Sequence, residues 1–358
     1  MTEQTITKNE TPAVTSGPRR RRLLEFDFAR GFAILFVVLI HWDPAEAPVW
    51  WQHAVSYIHT FIMPLFLAVS GFVYMHTRGT RSYGSFLLGK VKRLLVPYFF
   101  TSLIVVTIKL LMQGEAYVQH PVTTATYLEI FYLPAAGYYL WFVWALWWMF
   151  MIVPFFKTPK MRLVLLAISF VAAYLPVTAP DVFCLEMTRR MTVFFVLGTV
   201  LYDYRDVVGF SSSRPDGRQA PVPACIATVL FILSSVFYFT VLPQAAYANP
   251  YFAIYAVPAL CGFLVPHATS RFGRTMLQIS AASYLIYLFH TTFLGFAKSL
   301  VLPWIDGRTF PLVDGHAQVW PFLAATAITL TVGATVPFLL YRYVLNRFRV
   351  TRFMFGLK

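Results

Sequence analysis

The sequence predicts an all-α fold, a polytopic transmembrane helical bundle. Of its 358 residues, 58% are hydrophobic and only 12% are charged, whereas a soluble domain carries about 25% charged residues. Ten apolar segments follow one another along the chain, each near the ~20 residues that a helix needs to cross hydrocarbon. Composition therefore excludes a soluble enzyme, a disordered protein and a coiled coil.

The apolar segments are flanked by two polar, basic tails. We expect residues 1–22 to form a disordered basic cytoplasmic tail, 23–345 the membrane domain, and 346–358 a second basic cytoplasmic tail. The first tail is too polar to be a cleavable signal peptide. The predicted spans are 23–42, 54–76, 93–112, 138–156, 162–178, 190–204, 222–242, 249–267, 276–300 and 319–341.

Loop charge predicts the orientation of these spans. With the N-terminus in the cytoplasm, 23 of the 29 Lys and Arg residues fall in the tails and the cytoplasmic loops. This agrees with the positive-inside rule for ten spans with both termini cytoplasmic. We expect the membrane to be a bacterial cytoplasmic membrane. The same rule explains the net charge of +14, so we expect no nucleic-acid partner.

The first span carries polar residues that are costly inside a membrane. Arg30 and His41 are eleven positions apart, which places them on one helix face about 16 Å apart along the axis. Asp27 lies on the same face, within pairing distance of Arg30. Either Asp27 and Arg30 form a structural ion pair and His41 is an interfacial residue, or the three form a functional stripe across the membrane.

Two further clusters lie in the second and third segments. The predicted orientation places His59 on the outer side of the membrane, as it does His41, so the two histidines could share a site. Ser70 is followed by a glycine, and small residues of this kind allow close helix contact. Lys90 and Arg93 share a face at a cytoplasmic helix start, where they either bind phosphates or anchor the helix by snorkelling.

The later segments add aromatic and polar candidates. Trp141 belongs to an aromatic run that is typical of a membrane interface. Ser283, Tyr287 and His290 fall within about 60° around one helix, which indicates either interhelical hydrogen bonds or a polar site. The three cysteines have neither disulfide nor zinc-site spacing, so we expect no metal.

These motifs together resemble the acyltransferase-3 family of integral membrane O-acyltransferases. The resemblance covers most of residues 23–300, through Asp27-x-x-Arg30-Gly31 with ten residues between Arg30 and His41, and through the Ser-Gly-Phe that ends the second span. Lys90-x-x-Arg93 is similar to the Arg-x-x-Arg motif of the family, with Lys in the first position. The segment that ends at His290 resembles its late-helix pattern.

The resemblance implies O-acyl transfer across the membrane. Acyl-CoA, usually acetyl-CoA, would be the cytoplasmic donor and co-substrate, and the acceptor a hydroxyl of an extracytoplasmic glycan or glycolipid. His41 is our candidate general base or nucleophile, because imidazole suits proton transfer near neutral pH. Arg30 would orient the donor or stabilise the oxyanion, and Asp27 would orient Arg30.

The remaining candidates divide between donor and acceptor. Lys90 and Arg93 would hold the CoA phosphates, and we place Ser70 with them. On the acceptor side we place the substrate-binding candidates His59, Trp141, Tyr287 and His290. The competing interpretation is a transporter or flippase of an envelope precursor, which would also place Arg, His and Asp around a cavity. The inverted repeats that would favour a transporter are not recognisable in this sequence.

Overall fold

The computed structural model describes residues 22–79, 82–115, 118, 120–210, 221–240 and 246–357, and the regular elements within these ranges are helices joined by loops. A single isolated β-bridge, between Val313 and His316, is found in these ranges. The all-α prediction is confirmed. The predicted disordered tail lies outside the described residues, apart from Arg22.

Each of the ten predicted segments corresponds to one long helix within the described ranges. These helices are α1 (Leu24–Ile40), α2 (Val49–Thr77), α3 (Tyr83–Met112), α4 (Tyr138–Phe155), α5 (Pro159–Tyr174), α6 (Leu185–Asp203), α7 (Pro221–Thr240), α8 (Asn249–Gly262), α9 (Arg271–Ile305) and α10 (Val319–Leu345). A short helix, α11 (Arg349–Met354), follows α10.

Six helices of the described chain are long and apolar enough to cross a membrane: α2, α3, α4, α7, α9 and α10. The outer surface of the bundle is apolar as well, with exposed side chains such as Val164 and Ile168 on α5 and Val229 and Ile232 on α7. Such a surface is stable against lipid because each helix satisfies its own backbone groups. The chain is therefore a multi-pass membrane protein, whereas the count of ten spans and the cytoplasmic termini stay predictions.

The start of α3 differs from the sequence prediction. The helix begins at Tyr83, ten residues before the predicted span, and Ser82 caps it by accepting a hydrogen bond from the Ser85 amide. Lys90 and Arg93 therefore lie within a helix and not at its start. A π-helical turn at Val91–Leu95 also alters the spacing of side chains around the helix, because its hydrogen bonds span five residues instead of four.

Helix α1 lies at the centre of the bundle, packed against α2, α8, α9 and α10. Its contacts with α9 show that the two helices run parallel. Near the start of α1, Arg30 bonds to Ser280, and at its end His41 contacts His290, so both partners advance together along the chain. The face of α1 that carries Arg30 and His41 is thus turned towards α9.

Two glycines allow α2 and α6 to cross in close contact. A Cβ on Gly71 would lie 2.0 Å from the carbonyl oxygen of Phe195, and one on Gly198 would lie 2.0 Å from the carbonyl oxygen of Ala68. Any larger residue would force the backbones apart. The prediction that small residues at this position permit close helix contact is confirmed for Gly71.

A buried ion pair joins the beginning of α5 to the end of α6. The Arg162 guanidinium donates to both carboxylate oxygens of Asp203, at 2.5 and 2.8 Å, and to the carbonyl oxygens of Phe156 and Lys157. Both charged side chains are less than a tenth exposed. These bonds join the two helix ends in addition to the apolar packing between the helices.

The C-terminal residues pack against the bundle. Phe355 is 3% exposed, and its ring centroid lies 5.6 Å from that of Phe289 on α9. Gly356 has a positive φ of 63° and sits against the backbone of Arg93, where a Cβ would meet the Arg93 Cα at 2.9 Å. The segment predicted as a second basic tail therefore contains a helix and a buried anchor.

Candidate active site

The end of α1 places His41 at the wall of a cavity. The helix stops at Ile40, and the Nδ1 of His41 lies 2.8 Å from the carbonyl oxygen of Val37 one turn earlier. Because a carbonyl oxygen only accepts, Nδ1 is the nitrogen that donates in this bond. The neutral ring therefore keeps the lone pair on Nε2, which is the atom that takes a proton in general base catalysis.

A second imidazole packs directly against His41. The ring of His290 on α9 is fully buried, and its centroid lies 4.6 Å from that of His41 in an edge-to-face arrangement. Its Nδ1 is 2.8 Å from the carbonyl oxygen of Tyr287, whereas its Nε2 has no hydrogen-bond partner within the described ranges. His290 lies behind His41 and does not line the cavity.

Two tyrosines complete the wall around the imidazoles. The Tyr287 hydroxyl donates to the carbonyl oxygen of Tyr139 at 2.5 Å, and the Tyr139 hydroxyl donates to the carbonyl oxygen of Leu288 at 2.8 Å. The Tyr139 ring centroid lies 5.2 Å from that of His290 and 6.0 Å from that of His41. This reciprocal pair fixes the start of α4 on α9 and so fixes the surroundings of His41.

The cavity has a volume of about 510 Å³, within the range of small-molecule sites. Four of the predicted site residues line it: His41, His59, Trp141 and Tyr287. His59 is held as His41 is, with Nδ1 3.0 Å from the carbonyl oxygen of the residue four positions earlier. The structure thus brings His41 and His59, from α1 and α2, to one cavity.

The Asp27–Arg30 ion pair forms as predicted but lies outside the cavity that contains His41. An Arg30 Nη donates to the Asp27 carboxylate at 2.8 Å, and Arg30 Nε donates to the Ser280 hydroxyl at 3.1 Å. Arg22 also pairs with Asp27. Neither Arg30 nor Asp27 lines the cavity, so the stripe on α1 joins two separate places along the α1–α9 interface.

The predicted donor residues also lie away from the cavity. The Lys90 ammonium sits over the Phe150 ring of α4, 3.4 Å from its centroid, and Arg93 is exposed in the π-helical turn of α3. The Ser70 hydroxyl donates to the carbonyl oxygen of Phe66 within its own helix. A role of these three residues in donor binding stays a prediction.

Sequence reasoning missed several cavity residues. Tyr139 belongs to the aromatic run assigned to the membrane interface, and His120 lies in a loop. Lys109 and Lys298 line the cavity from α3 and α9, and their signal was present, since each is an ionisable residue within an apolar segment. No three His, Cys, Asp or Glu residues of the described ranges converge as metal ligands would.

Comparison with known proteins assigns the chain to a family. It is 30% identical over 190 residues to the nodulation protein NolL of Sinorhizobium fredii, an alignment that covers 51% of this chain and 50% of NolL. The chain thus spans about half the length of this curated relative. The model of an acyltransferase domain matches residues 23–342, nearly the whole helical bundle, and the chain therefore belongs to the acyltransferase-3 family.

Proposed function

We propose that this protein transfers an acyl group, acetyl in the first instance, from cytoplasmic acyl-CoA to a hydroxyl of an extracytoplasmic glycan or glycolipid. Its place would be the bacterial cytoplasmic membrane. The observation that carries the proposal is the His41 imidazole, which lines a cavity with Nδ1 bonded to the Val37 carbonyl. Its Nε2 lone pair is therefore available to a hydroxyl that enters the cavity. Membership of the acyltransferase-3 family supports the same chemistry.

The reaction begins with proton transfer to His41. Nε2 takes the proton of the acceptor hydroxyl while its oxygen attacks the carbonyl carbon of the thioester. The tetrahedral intermediate then collapses, the carbon–sulfur bond breaks, and the imidazolium returns its proton to the leaving thiolate. The products are an ester and free CoA. The bond from Nδ1 to Val37 keeps the ring in the reactive tautomer throughout.

Arg30 serves the donor and not the oxyanion in this scheme. It lies eleven residues before His41 in one helix, about 16 Å away at a rise of ~1.5 Å per residue. Reacting groups must come within about 3.5 Å, so Arg30 is too distant to contact a carbonyl next to Nε2. With Asp27 fixing its guanidinium, Arg30 would orient the part of acyl-CoA nearer the cytoplasm. Lys90, Arg93 and Ser70 would bind that same part.

The cavity residues serve the acceptor. His59, Trp141 and Tyr287 line the space next to His41 and would contact the acceptor there. His290 does not line that space, so it acts through His41 as a positioning residue, because its ring fixes one side of the catalytic imidazole.

Release of CoA by purified protein tests this function. Wild-type protein in detergent is given acetyl-CoA with and without an extract of bacterial envelope glycans and lipids. We expect free CoA to appear when the extract is present, and His41→Ala to lower its rate at least a hundredfold. His53→Ala is the matched control, since His53 is exposed on α2 and does not line the cavity. Equal rates in wild-type and His41→Ala protein would contradict the proposal, and a transporter would release no CoA at all.

A further inference from the structure

The charged side chains that line the cavity are both cationic. Lys109 and Lys298 bring two ammonium groups to it, beside the imidazoles of His41, His59 and His120, and within the described ranges no Asp or Glu lines the cavity. A neutral acceptor would need no such lining. The excess of positive charge indicates that the occupant of the cavity is an anion.

Lys109 is the clearest member of this group. It is half-buried near the end of α3, among apolar lining residues such as Ile108 and Met112. No carboxylate of the described chain forms an ion pair with its ammonium. Keeping a cation without a counter-charge in an apolar wall is costly, and a bound anion would offset that cost.

Lys298 connects this charge to the catalytic residue. Its ammonium donates to the carbonyl oxygen of His41 at 3.0 Å and lies 5.7 Å from the centroid of the Trp42 ring, with Asp43 within electrostatic range. A lysine ammonium has three donors, so one bond to the His41 carbonyl leaves others for a ligand. An anion bound by Lys298 would therefore lie beside His41.

The remaining lining suits a sugar ring. Four aromatic side chains line the same cavity: Tyr138, Tyr139, Trp141 and Tyr287. Each combines a large apolar face with a polar group at its edge. A bound sugar would thus have flat surfaces for its ring, two ammonium groups for its charge and the His41 imidazole for its hydroxyl.

We propose that the acceptor carries an anionic oxygen group, a carboxylate or a phosphate, which Lys109 and Lys298 bind while a neighbouring hydroxyl faces His41. The inference rests on the proposed function, whose acceptor it specifies. Ligand binding alone tests the inference, without any acyl transfer. An experiment can therefore contradict the inference and leave the proposed function standing, or the reverse. Lys109 and Lys298 are here binding residues, and Lys298 also positions His41.

Ligand-induced stabilisation of the full-length protein in detergent tests the proposal, because a ligand that binds only the folded state raises Tm. The probes are glucuronic acid for a carboxylate, glucose 1-phosphate for a phosphate, and methyl glucoside as the neutral control. We expect saturable stabilisation by at least one anionic probe and none by methyl glucoside. Which anionic probe binds distinguishes a uronic acid acceptor from a phosphorylated one.

Lysine variants locate the binding. Lys109→Gln should lower the affinity for the anionic probe about tenfold, and Lys109→Arg should restore that affinity. Lys160→Gln, at an exposed lysine of α5, should leave the affinity unchanged. The Tm of each variant without probe shows whether it folds, and Lys298→Gln gives a second, independent substitution. Binding of methyl glucoside equal to that of the anionic probes, no binding of either anionic probe, or unchanged binding in both Gln variants would overturn the proposal.

Two further outcomes separate this inference from the proposed function. Stabilisation by CoA that depends on Lys109 would overturn it by assigning the two lysines to the donor. Probe binding that depends on Lys109, in a protein that releases no CoA from acetyl-CoA, would support the anion site and contradict the transferase function instead.

Discussion

The two histidines at the end of α1 and in the middle of α9 make the same local bond but have different surroundings. Each Nδ1 is held by a backbone carbonyl of its own helix, so each neutral ring has its lone pair on Nε2. His41 lines the cavity, whereas His290 is fully buried with Nε2 unpartnered within the described ranges. Access to the cavity, and not the type of residue, is therefore why we propose His41 and not His290 as the base.

One tyrosine hydrogen bond in the wall around His41 can be removed by deleting a single oxygen atom. Tyr287→Phe deletes the hydroxyl that donates to the Tyr139 carbonyl, and the loss of this hydrogen bond costs about 0.5–1.5 kcal/mol in the free energy of unfolding. We expect a lower Tm and a lower kcat, since α4 keeps the bond from Tyr139 to the Leu288 carbonyl but loses the reciprocal bond from α9. Tyr83→Phe is the control, because the Tyr83 hydroxyl donates to the Met151 carbonyl at an exposed position. An equal loss in the two variants would contradict the account.

Sequence alone could identify some of the site residues but not their neighbours. Arg30, His41 and His59 stand out because a polar side chain in an apolar segment is costly. Tyr139 does not stand out, since it lies among similar aromatic residues and acquires its contacts with His41 and His290 only when α4 packs on α9. Lys109 and Lys298 carried the same signal as Arg30, but only the folded chain shows that they line the cavity of His41.

At the scale of elements, the crossing of α2 and α6 depends on glycine. Gly198→Ala would place a methyl group 2.0 Å from the Ala68 carbonyl oxygen, so we expect a loss of about 1–3 kcal/mol in stability, as for other overpacked positions. Gly262→Ala, in α8 with open space around its Cβ position, should leave Tm unchanged or slightly raised. Thermal unfolding in detergent measures both, and a Gly198→Ala protein as stable as wild type would show that the crossing is looser than described.

The ion pair between α5 and α6 provides a test of the helix ends. Asp203→Asn leaves the buried Arg162 without its counter-charge, which costs about 3–5 kcal/mol when one partner of a buried pair is removed. Asp306→Asn, at an exposed pair with Arg308, should have a far smaller effect because solvent screens exposed charges. Comparable shifts in Tm for the two variants would mean that the Arg162 pair contributes no more than a surface contact.

The sequence predicts which segments form helices, but it does not predict where each helix begins and ends. Each predicted apolar run corresponds to a helix of the described chain, and six of these helices are long and apolar enough to cross a membrane. Helix α3 nevertheless starts ten residues early, because its first turns, with Ser85, Lys90 and Lys92, are too polar to belong to an apolar run. These turns are stabilised by the Ser82 cap and by packing on α4, neither of which hydropathy reports.

At the scale of the whole molecule, loop charge predicts ten spans with both termini in the cytoplasm. Single cysteines at Thr124 and Thr269, exposed residues of two different loops, test this orientation after the exposed Cys225 is replaced by serine. A membrane-impermeant thiol reagent should label Thr124→Cys in intact cells, and Thr269→Cys only after lysis. Labelling of both cysteines in intact cells would contradict the predicted topology.

The central claim is that acyl groups pass to envelope material at His41. Its most direct test uses inside-out membrane vesicles, whose cytoplasmic face is outermost, from cells with the wild-type chain, His41→Ala or His53→Ala. The vesicles receive acetyl-CoA with a 14C-labelled acetyl group, and ester-linked label is measured in their glycans and lipids. We expect label with the wild type and with His53→Ala, and background label with His41→Ala at equal protein abundance. Label in the His41→Ala vesicles at the wild-type level would contradict the account.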